Sequence, residues 1–342
     1  MEIVPAVSRR PMRIVLPGGS GQIGQFLARH FQEYGHHVTV LTRGPYTAPW
    51  QTVHWDGEES GDWIETLEGA DVCINLSGRS VNCRYHAENR RNIYQSRIRT
   101  TQLLNQTIAS LANPPRVWLN ASAASIYKRA LDENKIDLPL DEAAANLACN
   151  VAPSNAEPST ESWSRRKDFI SRVACDWETA FFQSATPRTR KIALRSGIVL
   201  SPAPGSVFAV LSNLVRMGLG GTQGSGRQFV SWIHEADFAR AVEFLIGQEQ
   251  INGPVNMVAP NPLPNREFMA ALRWAWDVPN GLPAPSLFIK LGTFFLRTEP
   301  ELVLQSIRVV PDRLLDAGFE FEFPQWPEAA ENLVCQWKHR ND

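Results

Sequence analysis

One stretch near the start restricts the fold more than any other: Met12-Arg13-Ile14-Val15-Leu16-Pro17-Gly18-Gly19-Ser20-Gly21-Gln22-Ile23-Gly24. A short apolar run enters a glycine-rich turn, and an amphipathic helix leaves it. Ile23, Phe26, Leu27, Phe31 and Tyr34 fall at helical spacing, and Gly35 is placed to end the helix. His37 to Arg43 then reads as a second strand. Within such a strand–turn–helix–strand unit, glycines at this spacing point to a bound dinucleotide rather than to an ordinary turn. Gly18 permits the tight turn, Gly21 lets backbone approach a pyrophosphate, and Gly24 lets the helix pack on the strand. Backbone N–H groups and the helix dipole at that end favour phosphate charge. The phosphate-side candidates are Gly18, Ser20, Gly21, Gln22, Ile23 and Gly24.

The chain as a whole narrows the setting. Its 342 residues suit one large domain or two smaller ones. With 34 Lys+Arg against 35 Asp+Glu, no charge excess points to nucleic acid or an anionic membrane. No run approaches the ~18 apolar residues of a membrane span. Met1 to Pro11 carries Arg9 and Arg10 without an apolar core, so it reads as a loose extension and not as a signal peptide. The five cysteines are odd in number, scattered and in no C-x-x-C pair. They imply reduced thiols and no metal site. A cytoplasmic protein is expected.

Taken in order, strands at Val53–Asp56, Ala70–Leu76, Val117–Ala121 and Ile192–Leu200 alternate with helices at His86–Asn113 and Asp168–Phe182. That alternation predicts an α/β fold, a Rossmann-type doubly wound parallel sheet with right-handed crossovers. Arg43, beside Thr42, stands where NAD-selective folds place an acidic residue for the ribose 2′-hydroxyl. A guidinium-bearing residue there suits a 2′-phosphate, so NADP(H) is preferred over NAD(H); the plainer alternative is a solvated surface arginine. Asn75, Leu76, Ser77 and Gly78, at a strand's carboxyl end, are candidates to line the adenosine side. Arg97 either reaches back to the cofactor or makes a surface salt bridge. Residues 128–164 are polar and lack a sustained period, which fits a lid, a binding insert or disorder.

Beyond residue 200 the character changes. A helix at Val207–Met217 precedes the glycine-rich run Gly218 to Gln228. Flexible glycines around Gln223, Arg227 and Gln228 suit a loop that closes on a polar or anionic ligand, or simply a connection. A strand, Phe229–His234, opens into a helix from Glu235 to Ile246. His234 and Asp237 read as structural, with Asp237 capping that helix. From Asn261 onward, short helices are expected at Arg266–Trp276, Ser286–Leu296, Glu301–Val309 and Trp326–Lys338, with another at Pro311–Phe319 ending on Gly318. The expected organisation is a nucleotide domain over 12–200, a mixed segment over 201–260 and a smaller, mostly helical substrate-side domain over 261–342.

These motifs together resemble one family. Gly18-Gly19-Ser20-Gly21-Gln22-Ile23-Gly24, Ile74-Asn75-Leu76-Ser77-Gly78, Ser96-Arg97 with Thr100-Thr101, Asp176-Trp177-Glu178, Arg195-Ser196-Gly197-Ile198-Val199-Leu200, Gly218-Leu219-Gly220-Gly221, Gly224-Ser225-Gly226-Arg227-Gln228 and Ser231-Trp232-Ile233-His234 are similar to the atypical, epimerase-like branch of the extended short-chain dehydrogenases/reductases. The tail, with Val255 to Asn261 and Pro311 to Leu315, is similar to that branch's small C-terminal domain. The resemblance covers about residues 12 to 338, the insert excepted. It implies an NADP(H) site including Thr42, Arg43, Leu76, Ser77 and Arg97, extended here to Ser122, Gly197 and Ile198. It also implies a substrate pocket between the domains for a small molecule such as a nucleotide sugar, in a monomer or homodimer.

Hydride-transferring relatives use a tyrosine as acid/base, with a lysine four residues on and a neighbouring hydroxyl. No Y-x-x-x-K occurs in this chain, and Ile170 and Ala174 stand at the expected Tyr and Lys positions. Ser122 and Tyr127 are left as catalytic candidates. Two readings stay open: an NADP(H)-dependent oxidoreductase or epimerase of unknown substrate, and a non-catalytic NADP(H)-binding regulatory or scaffold protein.

Overall fold

The computed structural model describes residues 10–127, 139–142, 169–285 and 305–341. Apolar runs with branched side chains form β1 (Arg13–Pro17), β2 (His37–Thr42), β3 (Gln51–His54), β4 (Val72–Asn75), β5 (Val117–Ala123) and β6 (Arg190–Ser196). Then come β7 (Ile198–Leu200), β8 (Phe229–Val230), β9 (Trp232–His234), β10 (Gly253–Met257) and β11 (Leu263–Pro264). Seven of them build one sheet in the order β10-β6-β5-β4-β1-β2-β3, with every pairing parallel. The run β3-β2-β1-β4-β5-β6 is the doubly wound order, and its direction of winding reverses between β1 and β4. A crevice therefore opens at the carboxyl ends of those two strands.

Both faces of the central strands β1, β2, β4, β5 and β6 are largely buried, which is why they read as near-continuous apolar runs, whereas the edge strand β3 is mostly exposed. Ile14, Leu16, Ile74, Leu119 and Leu194 pack on one face with Phe26 and Phe31 of α1 (Gln22–Glu33). Phe238 and Val242 join them there. Val15, Cys73, Trp118 and Ala193 pack on the other face with Leu67 of the short α2 (Ile64–Leu67), Leu104 and Ile108 of α3 (Ala87–Ser110), and Phe181 of α4 (Phe169–Gln183). Fully burying one such side chain contributes about 1.5–3 kcal/mol.

The apolar stretch 192–200, expected as one strand, is two. β6 stays in the large sheet, whereas β7 leaves it to pair with β9. The break is Gly197, where an added Cβ would lie 2.6 Å from the Ser231 carbonyl oxygen, so only glycine admits that crossing. The stretch 229–234 splits likewise, β8 pairing with β11 and β9 with β7. Residues 305–309, expected as the end of a helix, are extended, and Val309 bridges to the buried Leu140. Tertiary pairing overrides the helical spacing there. The expected helix at 286–296, most of the insert at 128–164, and Cys149 fall outside the described residues. Cys73, Cys83 and Cys335 are free thiols, but Cys175 is disulfide-bonded, which corrects the expectation of reduced thiols at that position. Bridging depends on how the fold brings two Cα atoms together, and spacing along the chain does not show it. Among the described residues no helix is long and apolar enough to cross a membrane, and no cluster of metal-ligating side chains occurs.

The remaining helices are α5 (Val207–Arg216), α6 (Glu235–Gly247), α7 (Asn265–Ala275), α8 (Asp312–Asp316) and α9 (Trp326–Asn341). α7 and α9 meet through Phe268 and Trp326, whose rings stack at 4.1 Å between centroids. Two buried polar groups, His234 at the end of β9 and Asp237 in α6, tie this C-terminal part to the sheet. His234 does so through a 3.2 Å hydrogen bond between its Nε2 and Asn332 Oδ1. His234 Nδ1 accepts from the Ala236 N–H, so the cap expected of Asp237 belongs to His234. Asp237 instead accepts the N–H groups of Glu322 and Phe323, at 2.8 Å each.

Burial drives the His234 pKa down to about 4 from an ordinary 6.5, against the raising effect of its hydrogen bond with Asn332. An unfolded imidazole takes up its proton near pH 6.5, so between about pH 6.5 and 4 the unfolded chain binds more protons than the folded one. Stability due to this group is therefore complete above that window and falls as pH drops through it, by on the order of 3 kcal/mol in total. Urea midpoints measured from pH 7 to pH 4.5 are expected to fall less steeply for His234→Gln than for the wild type. Parallel curves would place the acid sensitivity elsewhere.

Candidate functional site

The reversal of winding forms a cleft of about 690 Å³ at the carboxyl ends of β1, β2, β3 and β4. Its floor is the turn after β1. Gly18 has φ +74°, and a Cβ there would come within 2.8 Å of the Ser77 N and Cα atoms, so this backbone and the β4 exit can cross only at a glycine. Gly24 is buried, and a Cβ there would run into the Gly19 backbone of its own turn. Gly21 is the N-cap of α1 and supplies no side-chain cap, which leaves the first N–H groups of that helix open.

Of the cofactor-side candidates, Gly18, Ser20, Gly21, Thr42, Arg43, Leu76, Ser77 and Gly78 line this cleft. Thr42 Oγ1 donates to Ser20 Oγ at 3.0 Å, coupling the end of β2 to the glycine turn. Arg43 is exposed, and its side chain makes no hydrogen bond or ion pair among the described residues. Gln22, Ile23, Gly24, Arg97, Ser122, Gly197 and Ile198 do not line it. Arg97 is turned inward. Its guanidinium lies under Gly78, donates to the carbonyls of Arg79 and Ile93 at 3.0 Å, and sits 5.1 Å from the Trp177 ring centroid. It therefore shapes the loop after β4.

The sequence reading missed the opposite wall. Tyr46, Trp55, Asp56, Gly57 and Glu58 from the segments after β2 and β3, and Arg79, Asn92, Gln95, Ser96, Arg99 and Thr100 along the loop and α3, complete the cleft. Asn92, Ser96, Arg99 and Thr100 recur at helical spacing, a signal that was available. The Trp55-Asp56-Gly57 corner carried no motif. Asp56 Oδ1 accepts from the N–H groups of Glu58 and Glu59, and those bonds hold its carboxyl below the ordinary range.

The catalytic candidates lie elsewhere, inside a buried polar network. Ser122 Oγ donates to Glu178 Oε1 at 2.6 Å. Glu178 is bound through both oxygens by Arg195, at 2.8 Å from Nε and 2.7 Å from Nη2. Arg195 Nη1 donates to the Tyr127 hydroxyl at 3.0 Å, and that hydroxyl donates to Asn256 Oδ1 at 2.7 Å. Glu142 closes the ring by accepting from the Asn256 N–H at 2.8 Å. Burial pushes the Tyr127 pKa up to about 12, outweighing the lowering by Arg195. Burial also opposes the Arg195 charge, but the Glu178 carboxylate outweighs it and holds the guanidinium above its ordinary range. Both candidate hydroxyls are thus committed within the protein and away from the cleft. Ala174, at the expected lysine position, packs in one apolar cluster with Ala124, Ile126 and Tyr127.

The glycine-rich run, expected either as a loop closing on a ligand or as a connection, pairs its backbone with residues 282–284. Gly221 and Gly224 donate to the carbonyls of Leu282 and Ala284, while Leu282 and Ala284 donate back to Gly218 and Thr222. A Cβ on Gly281 would lie 2.7 Å from the Gly220 carbonyl carbon. The glycines allow two backbones to lie against each other, a close packing rather than a flexible flap. Gln228 Nε2 donates to the Gln223 carbonyl and Gln223 Oε1 accepts from Asn265, so both glutamines hold the loop together. Of that trio only Arg227 presents its side chain to solvent.

Comparison with known proteins agrees with this architecture. Residues 14–257 match the NAD dependent epimerase/dehydratase family, and residues 284–333 match a domain of unknown function. The chain is 30% identical over 330 residues to the epimerase family protein SDR39U1 of Bos taurus, spanning 95% of this chain and 100% of that one. The crystal structure of human SDR39U1 with NADPH superimposes with a TM-score of 0.77 at 27% identity, covering 94% of this chain and 99% of that one. A nucleoside-diphosphate sugar epimerase from Corynebacterium glutamicum superimposes with a TM-score of 0.67 at 25% identity, covering 97% of this chain and 62% of that one.

Glu178→Gln tests the buried network without any ligand. The amide cannot neutralise Arg195, and a buried charge left without its partner costs about 3–5 kcal/mol. The urea midpoint is expected to fall accordingly, and a loss under about 0.5 kcal/mol would show that the pair carries no structural burden.

Proposed function

The chain belongs to the NAD dependent epimerase/dehydratase family, and on that premise we propose that it binds NADP(H) in the cleft between β1, β2 and β4 and acts as an oxidoreductase or epimerase on a small molecule. One observation carries the choice of NADP(H): the exposed, unpartnered Arg43 at the end of β2, beside the coupled hydroxyls of Thr42 and Ser20. A planar guanidinium meets a phosphate through two parallel hydrogen bonds, which a ribose hydroxyl cannot offer. The open N-terminus of α1 supports a pyrophosphate, and Leu76 to Gly78 close over the adenosine side. The SDR39U1 structure with NADPH supports the same reading. When bound, the nicotinamide supplies or accepts a hydride.

The proposal assigns no proton transfer to Ser122 or Tyr127, since both hydroxyls are engaged inside the network. It keeps Arg227 as a cation for the phosphates of a nucleotide-sugar substrate, a class supported by the nucleoside-diphosphate sugar epimerase likeness. Residues 12–200 act as the nucleotide domain, 201–260 as a mixed segment and 261–342 as the substrate-side domain.

Calorimetry with NADPH and NADH on wild type and Arg43→Ala tests the cofactor assignment. NADPH is expected to bind more tightly than NADH to the wild type, and the substitution is expected to weaken NADPH about tenfold, a loss of ~1.4 kcal/mol, while leaving NADH unchanged. Equal weakening of both, or none, would remove Arg43 from the site.

A further inference from the structure

Arg97 carries a charge that the protein does not answer. Its Nη1 donates to the carbonyls of Arg79 and Ile93 at 3.0 Å each, while its Nε and Nη2 make no hydrogen bond among the described residues. No carboxylate there pairs with it either. Burial pulls its pKa down to about 10, and the two groups that oppose this are the Tyr85 hydroxyl and the Cys83 thiol. A guanidinium taken out of water without a counter-charge is costly, so this one calls for an explanation.

The loop from Gly78 to Tyr85 is wrapped around this cation. Gly78 lies against its Nε, Cζ and Nη2, and the next carbonyl, that of Arg79, accepts from it. Cys83 sits on a tight turn of the same loop. Its backbone N–H donates to the Val81 carbonyl at 2.9 Å, and its thiol donates weakly to the Ser80 carbonyl at 3.7 Å. It packs with Tyr94 and Ile170 against Tyr85 and Phe169, and it is only half-buried, so a small reagent can reach it. The other free thiols among the described residues differ. Cys73 is sealed in the apolar core, where burial pushes its thiol up, and Cys335 is exposed on α9.

We propose that Cys83 is a site of oxidation by small hydroperoxides, and that Arg97 holds the sulfenate product through its open Nε and Nη2. The thiolate is the attacking species, and a neighbouring guanidinium favours it. With hydrogen peroxide, the sulfur electron pair forms an S–O bond as the O–O bond breaks. The departing hydroxide takes the sulfenic proton and leaves as water, so the sulfur is oxidised by two electrons and the peroxide reduced by two. The product bears an anionic oxygen, the acceptor that the two open donors of Arg97 lack.

Wild type treated with equimolar hydrogen peroxide and trapped with dimedone, then mapped by peptide mass spectrometry, tests the assignment. The label is expected at Cys83, with little at the more exposed Cys335. Arg97→Gln is expected to cut the Cys83 label about tenfold and to leave Cys335 unchanged, and Arg97→Lys to restore most of it. An unchanged Cys83 label in folded Arg97→Gln would overturn the proposal. So would a wild type labelled at Cys335 as strongly as at Cys83, a comparison that needs no variant and decides the matter should Arg97→Gln not fold.

Discussion

The structure turns on two backbones crossing at the end of β1. Gly18 and Ser77 approach so closely that a single Cβ at position 18 would meet the second strand's exit at 2.8 Å. This crossing fixes where β4 ends relative to the glycine turn. It thereby fixes the floor of the cleft and the direction in which the open end of α1 points. The effect is steric and local, yet the position of the cleft follows from it, because β1 and β4 flank the reversal of winding. Gly24 has the same role one turn later, holding the start of α1 against the turn itself.

A second interaction sets what the far side of the sheet can do chemically. The pair Arg195–Glu178 is buried and hydrogen-bonded through both carboxylate oxygens, and it gathers Ser122, Tyr127, Asn256 and Glu142 around it. Removing two charges from water is costly, and such a pair is tolerated only when its remaining hydrogen bonds are made. The neighbours that make them include Ser122 and Tyr127, the two hydroxyls that the sequence left as catalytic candidates. Structural satisfaction and proton transfer compete for the same atoms here, and in this chain structure has taken them. The cleft and the network are thus separate, since no residue of the network lines the cleft.

How much could be read beforehand depended on the range of the physics involved. The β1–α1–β2 unit, the parallel sheet and the cleft residues Gly18, Ser20, Thr42, Arg43 and Ser77 were legible, because short-range periodicity and glycine placement encode them. The break at Gly197 was not. A glycine between apolar runs looks the same whether the strand continues or a second backbone crosses it, and only Ser231, more than thirty residues on, decides. The glycine-rich run at 218–226 misled for the same reason, since its partner at 281–284 lies far along the chain. Tyr127 carried the right residue type in the right strand–turn context, but its hydroxyl is committed by Arg195 and Asn256, both distant in sequence.

The placement of Arg43 on an open rim limits what it can do alone. Between exposed groups an ion pair is worth about 0–1 kcal/mol, because water screens both charges and long side chains lose freedom on pairing. Strong discrimination for a 2′-phosphate therefore requires that the phosphate meet more than one fixed group. In the proposed site the Thr42–Ser20 pair would supply that, since it is already ordered by its own 3.0 Å hydrogen bond. Ordering those hydroxyls before binding removes a cost that a lone flexible arginine would leave in place. On the proposed reading, selectivity at this rim would be shared between the exposed Arg43 and the hydrogen-bonded Thr42–Ser20 pair, whose place follows from the crossing of Gly18 and Ser77.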